Sequence, residues 1–145
     1  MLHQAGFLHN DVQMTSILVE KKNSSDNLKV KLGGFAKVMG QDVASSMREA
    51  SVCLYRAPEV LNDNIRSTAS DVWGLGVTLY VLSTGRFPFA SKHAIVNRPL
   101  EWSQQDRQNH SAEFVSMVDS MLQKEVMARP NLSQLLNCPF FRGAN

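Results

Sequence analysis

The segment from Thr68 to Gly85, TASDVWGLGVTLYVLSTG, constrains the fold more than any other part of the chain. Its apolar residues do not form one stripe but surround the helix axis, which is the pattern of a buried helix. Thr68 and Asp71 have capping-box spacing, and Gly85 with Pro88 beyond it marks the end. The apolar run is too short to span a bilayer. The sequence therefore predicts a central buried helix over residues 68–85, with the other elements packed around it.

The composition is that of a globular chain long enough for one domain. Its 145 residues are 43% hydrophobic and 19% charged, so they can bury a core. A formal net charge of +2, from scattered lysines and arginines, argues against a nucleic-acid partner. Cys53 and Cys138 lie far apart, with neither a secretory segment nor metal-ligand spacing. We therefore expect free thiols, an intracellular and cytoplasmic location, no metal site and no membrane partner.

Short strands and helices are predicted around the central helix, so the expected fold class is mainly α with a few short β-strands. Gly6 ends a first helix that begins before residue 1, and residues 40–54 lack periodicity, which is typical of a long loop. Ser111 caps an amphipathic helix over residues 111–123. The remaining predicted elements are strands over residues 17–20, 28–32 and 35–39, a helical turn over 58–61, one helix within 91–108, and a last helix over 131–136 with Leu132, Leu135 and Leu136 inward.

Four sequence motifs follow one another, and a fifth lies near the end of the chain. They are LHND at residues 8–11, LGGFA at 32–36, YRAPE at 55–59, SDVWGLGVTLY at 70–80 and ARP at 128–130. In this order and spacing they strongly resemble the C-terminal lobe of a eukaryotic protein kinase, of the serine/threonine type more than the tyrosine type. The resemblance covers residues 1–142 as a C-lobe without an N-lobe, and leaves 143–145 as a tail. It implies a catalytic loop over 9–16, an activation segment over 34–59 and the central helix over 68–85.

The resemblance implies a kinase lobe that lacks its metal ligands. The family's catalytic loop reads H-R-D-x-x-x-x-N, so Asp11 takes the position of the base and Ser16 that of a metal-binding Asn. Asn10 and Gln13 replace the Arg and Lys of that loop. The D-F-G motif reads Gly34-Phe35-Ala36, so its metal-binding Asp is a glycine. Because Mg²⁺ prefers carboxylate oxygens, we expect phosphoryl transfer to be slower by several powers of ten.

The residues that hold such a lobe together are present. Glu59 and Arg129 match the family's buried ion pair between the activation segment and the late helices. Asp71 matches the carboxylate that receives N–H groups from the catalytic loop, although an acidic residue is favoured in any first helical turn. His9 matches a structural histidine of the loop rather than a base or a metal ligand. The structural positions are therefore kept where the metal-binding ones are not.

Three functional hypotheses follow from this pattern. The first is a catalytically impaired kinase-like lobe, a pseudokinase fragment without a cofactor, that binds a protein and modulates an active kinase. The second is the C-lobe of a serine/threonine kinase dependent on ATP and Mg²⁺, whose Gly-rich loop and Lys strand lie in a longer chain. The third is a truncated product without a function of its own. The first two imply a protein partner, either a kinase or the missing N-lobe.

Overall fold

The structure, a computed structural model, describes residues 2–21, 28–40 and 54–143. In that part of the chain, two small antiparallel sheets precede a set of α-helices, which confirms the predicted mainly helical fold class. The strands are β1 (Phe7–Leu8), β2 (Ile17–Lys21), β3 (Leu28–Leu32) and β4 (Met39–Gly40). The helices are α1 (Pro58–Asp63), α2 (Thr68–Thr84), α3 (Lys92–Asn97), α4 (Gln104–Asn109), α5 (Ala112–Met121), α6 (Leu132–Leu136) and α7 (Pro139–Arg142). Single 3-10 turns cover His3–Ala5, Met14–Ser16, Phe35–Lys37 and Val126–Ala128.

Helix α2 forms the centre of the fold, as the all-round apolar pattern predicts. Trp73 and Val77 are completely buried, and α5 packs directly against α2. Gly76 permits this close approach, because a Cβ at that position would lie 2.9 Å from the Cβ of Met121. Leu82 departs from the prediction: it is 59% exposed, so solvent reaches one side of the last turns.

The start of α2 also differs from the predicted capping box. Ser70, and not Asp71, closes the N-terminus: its hydroxyl accepts the Ser67 N–H at 3.0 Å and donates to the Ser67 carbonyl at 2.7 Å. The physical reason is that the Asp71 carboxylate binds a different segment, described below. Thr68 is consequently the first helical residue rather than the cap.

Local capping explains other boundaries that the sequence prediction missed. Residues 91–108 hold two helices instead of one, because Ser91 and Ser103 each accept a backbone N–H three residues ahead. The predicted turn over 58–61 extends to Asp63 and ends at Asn64, which has a left-handed backbone. By contrast, Ser111 caps α5 as predicted.

Three further predictions need correction or lie outside the described residues. The strand predicted over 35–39 is wrong, because Gly34 turns the chain with φ 76° into the 3-10 turn Phe35–Lys37 before β4 begins. Helix α6 is not the last, since α7 follows it, and Leu136 is 54% exposed instead of inward. Almost all of the loop predicted over 40–54, including Cys53, lies outside the described residues.

The two sheets differ in how far their apolar side chains are buried. Pairing of β1 with β4 brings the chain that follows Gly34 beside the fully buried Leu8. Pairing of β2 with β3 sets Val19 opposite Val30 on one face. Those two side chains are 59% and 61% exposed. The β2–β3 sheet therefore presents apolar side chains to solvent.

Candidate active site

The predicted catalytic loop is fastened to α2 through one carboxylate. Asp71 accepts the backbone N–H of His9 at 2.7 Å and that of Asn10 at 2.8 Å. The His3 imidazole lies 2.8 Å from the same carboxylate. Because Asp71 is only 6% exposed, these bonds form where water competes little. The buried helix thereby sets the position of the loop that carries Asp11.

His9 connects the loop to the segment around Gly34. Its Nε2 lies 2.8 Å from the Gly33 carbonyl, and its Nδ1 lies 3.3 Å from the Asp11 nitrogen. A neutral ring protonated on Nε2 satisfies both bonds, donating to the carbonyl and accepting from the backbone N–H. The Phe35 ring lies 5.2 Å away. Both ring nitrogens are thus engaged by the backbone, which is the geometry of a structural histidine.

Ser16 and Gly34 lie against each other beside Asp11. The Ser16 hydroxyl donates to the Asp11 carbonyl at 2.7 Å, and Ser16 is 3% exposed. A Cβ at Gly34 would lie 2.8 Å from that hydroxyl oxygen. There is consequently no room for a side chain at position 34 unless Ser16 moves. The donor set and this packing do not fit a magnesium site, which requires several oxygen ligands and favours carboxylates.

A lysine that the sequence reasoning overlooked contacts the base position. Lys37 Nζ donates to Asp11 Oδ1 at 3.1 Å, and the two side chains are 34% and 23% exposed. The Asn10 amide donates to the Lys37 carbonyl at 3.1 Å. In the sequence, Lys37 directly follows the Gly34-Phe35-Ala36 motif, but its contact with Asp11 is evident only in the fold.

Two arginines lie near the same loop. A cavity of about 30 Å³ lies between Asn10, Asp11, Arg56, Arg66 and Asp71, which is room for one or two waters. Burial lowers the pKa of Arg56, the neighbouring Arg66 lowers it further, and the Asp11 carboxylate raises it. Burial also lowers the pKa of Arg66, while Asp71 raises it. Asp11 therefore lies close to more than one cationic side chain.

The remaining predicted positions lie at the edges of this group. Gln13 is half-buried with an extended backbone before the turn Met14–Ser16. Ala36 is exposed in the turn Phe35–Lys37, and Phe35 itself is 55% exposed. The structure thus gathers His9, Asn10 and Asp11 with Ser16 and Gly34.

Glu59 and Arg129 form a two-pronged ion pair behind the loop. Arg129 Nη1 donates to Glu59 Oε1 at 2.7 Å, and Nη2 donates to Oε2 at 2.7 Å. Their side chains are 9% and 0% exposed. The pair joins α1 to the chain that follows α5. It thereby fixes Glu59, the last residue of the predicted activation segment.

Lys124 is a part-buried cation close to this ion pair. Its Nζ lies 3.4 Å from the centroid of the Phe89 ring and 5.0 Å from that of Trp73. It donates to the Ile95 carbonyl at 2.6 Å. Burial, with a smaller contribution from the positive charge of Arg129, lowers the pKa of Lys124 to about 8.

This shift predicts a pH-dependent stability. Because the pKa of Lys124 falls from 10.5 in an open chain to about 8 in the fold, the unfolded state binds more protons between these pH values. The free energy of unfolding should therefore rise with pH from about 8 to 10.5. Solvent screening of this part-exposed amine reduces the gain to about 1 kcal/mol. Urea unfolding of wild type and Lys124→Met across this range measures it, and equal pH slopes in the two proteins would contradict it.

Two properties of the described residues bear on the class of site. Within residues 2–21, 28–40 and 54–143, no helix has the length and hydropathy to cross a bilayer. Over the same ranges, no three His, Cys, Asp or Glu side chains cluster so as to hold a metal ion. Cys138 is a free thiol in that part of the chain.

Comparison with known proteins identifies the family. The family model of the protein kinase domain matches residues 1–141. Mitogen-activated protein kinase kinase 3 of Arabidopsis thaliana is 29% identical over 138 residues, which are 92% of this chain and 26% of that protein. Serine/threonine-protein kinase pakH of Dictyostelium discoideum is 30% identical over 152 residues, covering 99% of this chain and 28% of that protein.

Solved structures agree with the sequence comparison. The structure of titin kinase and its flanking domains superposes with a TM-score of 0.85 at 28% identity, over 97% of this chain and 26% of that one. The chain thus spans about a quarter of the length of these relatives. With serine/threonine kinases among its relatives, and a match along almost its whole length, the chain belongs to the protein kinase domain family.

Proposed function

We propose that this chain is a catalytically impaired kinase lobe that acts by binding a protein and modulating an active kinase. The observation that carries the proposal is the state of the Asp11 carboxylate. It is paired with Lys37 at 3.1 Å, and the neighbouring metal positions are a serine hydroxyl already bonded to backbone and a glycine. Asp11 therefore occupies the base position, but the carboxylate ligands for the metal ion that would activate the phosphate are missing.

The chemistry of phosphoryl transfer explains why this matters. Catalysis consists mainly of positioning the phosphates and neutralising the charge that develops on them, and Mg²⁺ does much of this work. Ser16 and Gly34 offer no carboxylate for such an ion. If each missing ligand removes a few kcal/mol of transition-state stabilisation, the rate falls by several powers of ten. Asp11 could still orient a hydroxyl, but the phosphate would remain unactivated.

The protein-binding part of the proposal is supported by the β2–β3 sheet. Val19, Leu28 and Val30 are 59%, 62% and 61% exposed on one face. Neighbouring apolar side chains exposed to this extent are typical of surfaces that another protein covers. The intact pair of Glu59 and Arg129 supports a lobe that keeps its shape while lacking catalysis.

A second candidate is the C-lobe of an ATP-dependent serine/threonine kinase. It is favoured by the coverage of the relatives, of which this chain spans about a quarter. It is also favoured by Asp11, which takes the base position and is 23% exposed. In that case the Gly-rich loop and the phosphate-binding lysine belong to other parts of a longer chain.

Thermal unfolding with and without Mg²⁺ and ATP tests whether this chain alone has a working nucleotide site, which the impaired lobe should lack. For the impaired lobe we expect a cooperative transition whose midpoint does not move. A working nucleotide site would add about 2.7 kcal/mol at a hundredfold excess of ligand over Kd. A midpoint that rises with the nucleotide would therefore refute the impaired lobe and favour the second candidate. A chain without a cooperative transition would need its missing half or a partner in order to fold.

A phosphotransfer assay with a matched variant completes the test. The purified chain should transfer no phosphate from Mg²⁺-ATP to a generic serine/threonine substrate above the background of Asp11→Asn. Transfer that depends on Mg²⁺ and disappears in Asp11→Asn would refute the impaired lobe. The variant is a suitable control because it keeps the size of the side chain, removes its negative charge and exchanges one acceptor oxygen for an NH₂ donor.

A further inference from the structure

A groove of about 330 Å³ lies between the β2–β3 sheet and α2. Ile17, Val30 and Leu32 line its sheet side, and Val72 and Leu75 line its helix side. Val30 and Leu32 are 61% and 42% exposed, although both are large apolar side chains. Solvent therefore covers an apolar wall, and a partner that displaced this solvent would gain free energy.

The same face of the sheet continues beyond the groove. Strand register places Val19 opposite Val30 and Lys21 opposite Leu28. All four side chains lie on one face, because alternate residues of a strand share a face. Val19 and Leu28 are 59% and 62% exposed. The groove-lining residues named above, together with Val19 and Leu28, form one apolar surface, which we call the hairpin groove.

The polar side chains at the inner end of the groove are already hydrogen-bonded. His3 Nε2 lies 2.8 Å from the Asp71 carboxylate, which also accepts two backbone N–H groups. Both ring nitrogens of His9 contact backbone atoms. An occupant therefore gains little from a polar group placed here and gains most from buried apolar side chains.

The shape of the hairpin groove favours an α-helix as its occupant. A strand added to an edge of the sheet would pair with backbone groups and leave the hollow between the sheet and α2 open. A helix with apolar residues at i, i+3, i+4 and i+7 presents one convex apolar stripe, which fills such a hollow. The five residues of β3 span roughly 13 Å, the length of about nine helical residues.

Lysines surround the hairpin groove and set the charge of its partner. Lys21 is exposed at the hairpin end of the apolar face. Lys29 and Lys31 are exposed on the opposite face, where Lys31 pairs with Glu20 at 3.0 Å. Such a basic rim attracts a partner with carboxylates beside its apolar stripe and repels a lysine-rich one.

We propose that the hairpin groove binds an amphipathic α-helix of a partner protein, whose apolar stripe enters the groove and whose Asp or Glu residues beside the stripe face Lys21. The inference rests on the proposed function, in which the lobe acts by binding a protein. It goes further in naming the surface that binds and the class of segment that it takes.

Selection from a phage-displayed library of random peptides of about 14 residues, with the full chain as bait, tests the proposal. Enriched peptides should have helical apolar spacing with acidic residues beside it. In fluorescence anisotropy, an enriched peptide should bind at least about tenfold more weakly to Val30→Asp than to wild type, because the new carboxylate would be buried. Leu18→Asp should bind like wild type. It is a matched control, since Leu18 is 55% exposed on the opposite face.

The charge of the rim has its own test. Lys21→Glu should weaken binding of the acidic peptide about two- to fivefold at low salt, which is the range for one exposed charge. Added salt should reduce this difference, because it screens exposed charges. Lys29→Glu, on the opposite face, should have the smaller effect.

Several outcomes would overturn the proposal. They are a library without enrichment, enriched peptides with alternating apolar residues, and equal affinity for wild type and Val30→Asp. A wild-type dimer in sedimentation that dissociates in Val30→Asp would also overturn it, because a second copy would then cover the groove. Val19→Asp, at another exposed position of the same face, replaces Val30→Asp if that variant fails to fold. Phosphotransfer by the chain would instead refute the impaired lobe, whereas peptide binding judges the hairpin groove separately.

Discussion

Replacing Arg129 by methionine is expected to lower the free energy of unfolding by about 3–5 kcal/mol, which is the cost of leaving a buried charge without its partner. The Glu59 carboxylate now receives both guanidinium arms at 2.7 Å and is almost inaccessible to water. In Arg129→Met it must either stay charged without compensation or take up a proton. Both alternatives cost free energy, since neither restores two charge-assisted hydrogen bonds.

The guanidinium also satisfies backbone groups that a methionine cannot reach. It donates to the carbonyls of Gln123, Lys124 and Ala69 at 2.7, 3.1 and 3.2 Å. Arg129 therefore joins the start of α2 to the chain that follows α5. Removing it leaves several acceptors to find water in a packed region, which places the expected loss toward the upper end of the range.

Urea unfolding of three variants measures this effect. The double variant Glu59→Gln/Arg129→Met should be less destabilised than Arg129→Met, because it no longer contains the uncompensated carboxylate. Lys31→Met breaks the exposed pair with Glu20 and should cost at most about 1 kcal/mol. If Arg129→Met lost no more than this surface control, the ion pair would not be a major source of stability.

The elements that could be predicted from sequence are those whose signal is local. The apolar residues all around residues 68–85 predict a buried helix without any knowledge of its neighbours. The cap at Ser103 could also have been predicted, because Ser103 and Asp106 have capping-box spacing that the prediction overlooked. The Thr68 and Asp71 pattern misled the prediction, since a carboxylate in a first turn can bind another segment instead of its own helix.

The parts of the site that could not be predicted depend on tertiary placement. Lys37 and Asp11 are 26 positions apart, and no periodicity relates them. The contact of Gly34 with Ser16 likewise forms only when the turn folds back on the loop. Glu59 and Arg129 are 70 positions apart and were paired through the resemblance to the kinase family. Motif order thus indicates which positions to compare, and the fold determines which side chains surround them.

Asp71→Ala is the second substitution with a large expected effect, a loss of about 3–4 kcal/mol in the free energy of unfolding together with release of the predicted catalytic loop. The variant leaves the backbone N–H groups of His9 and Asn10 without an acceptor. Each unsatisfied group costs about 1–3 kcal/mol when it is buried. The His3 imidazole, 2.8 Å from the carboxylate, loses the same partner. Asp71→Asn keeps one acceptor oxygen and should fall between wild type and Asp71→Ala.

Hydrogen exchange distinguishes release of the loop from general destabilisation. The amides of His9 and Asn10 should exchange faster in Asp71→Ala than its loss of global stability accounts for, because Asp71 is their acceptor at 2.7 and 2.8 Å. Asp63→Ala, which removes an exposed carboxylate at the end of α1, is the matched control and should change stability by less than about 0.5 kcal/mol. If the loop amides in Asp71→Ala kept their protection relative to the core of α2, the loop would owe its position to packing. The kinase-like arrangement around Asp11 would then persist without the carboxylate that now fastens it to the central helix.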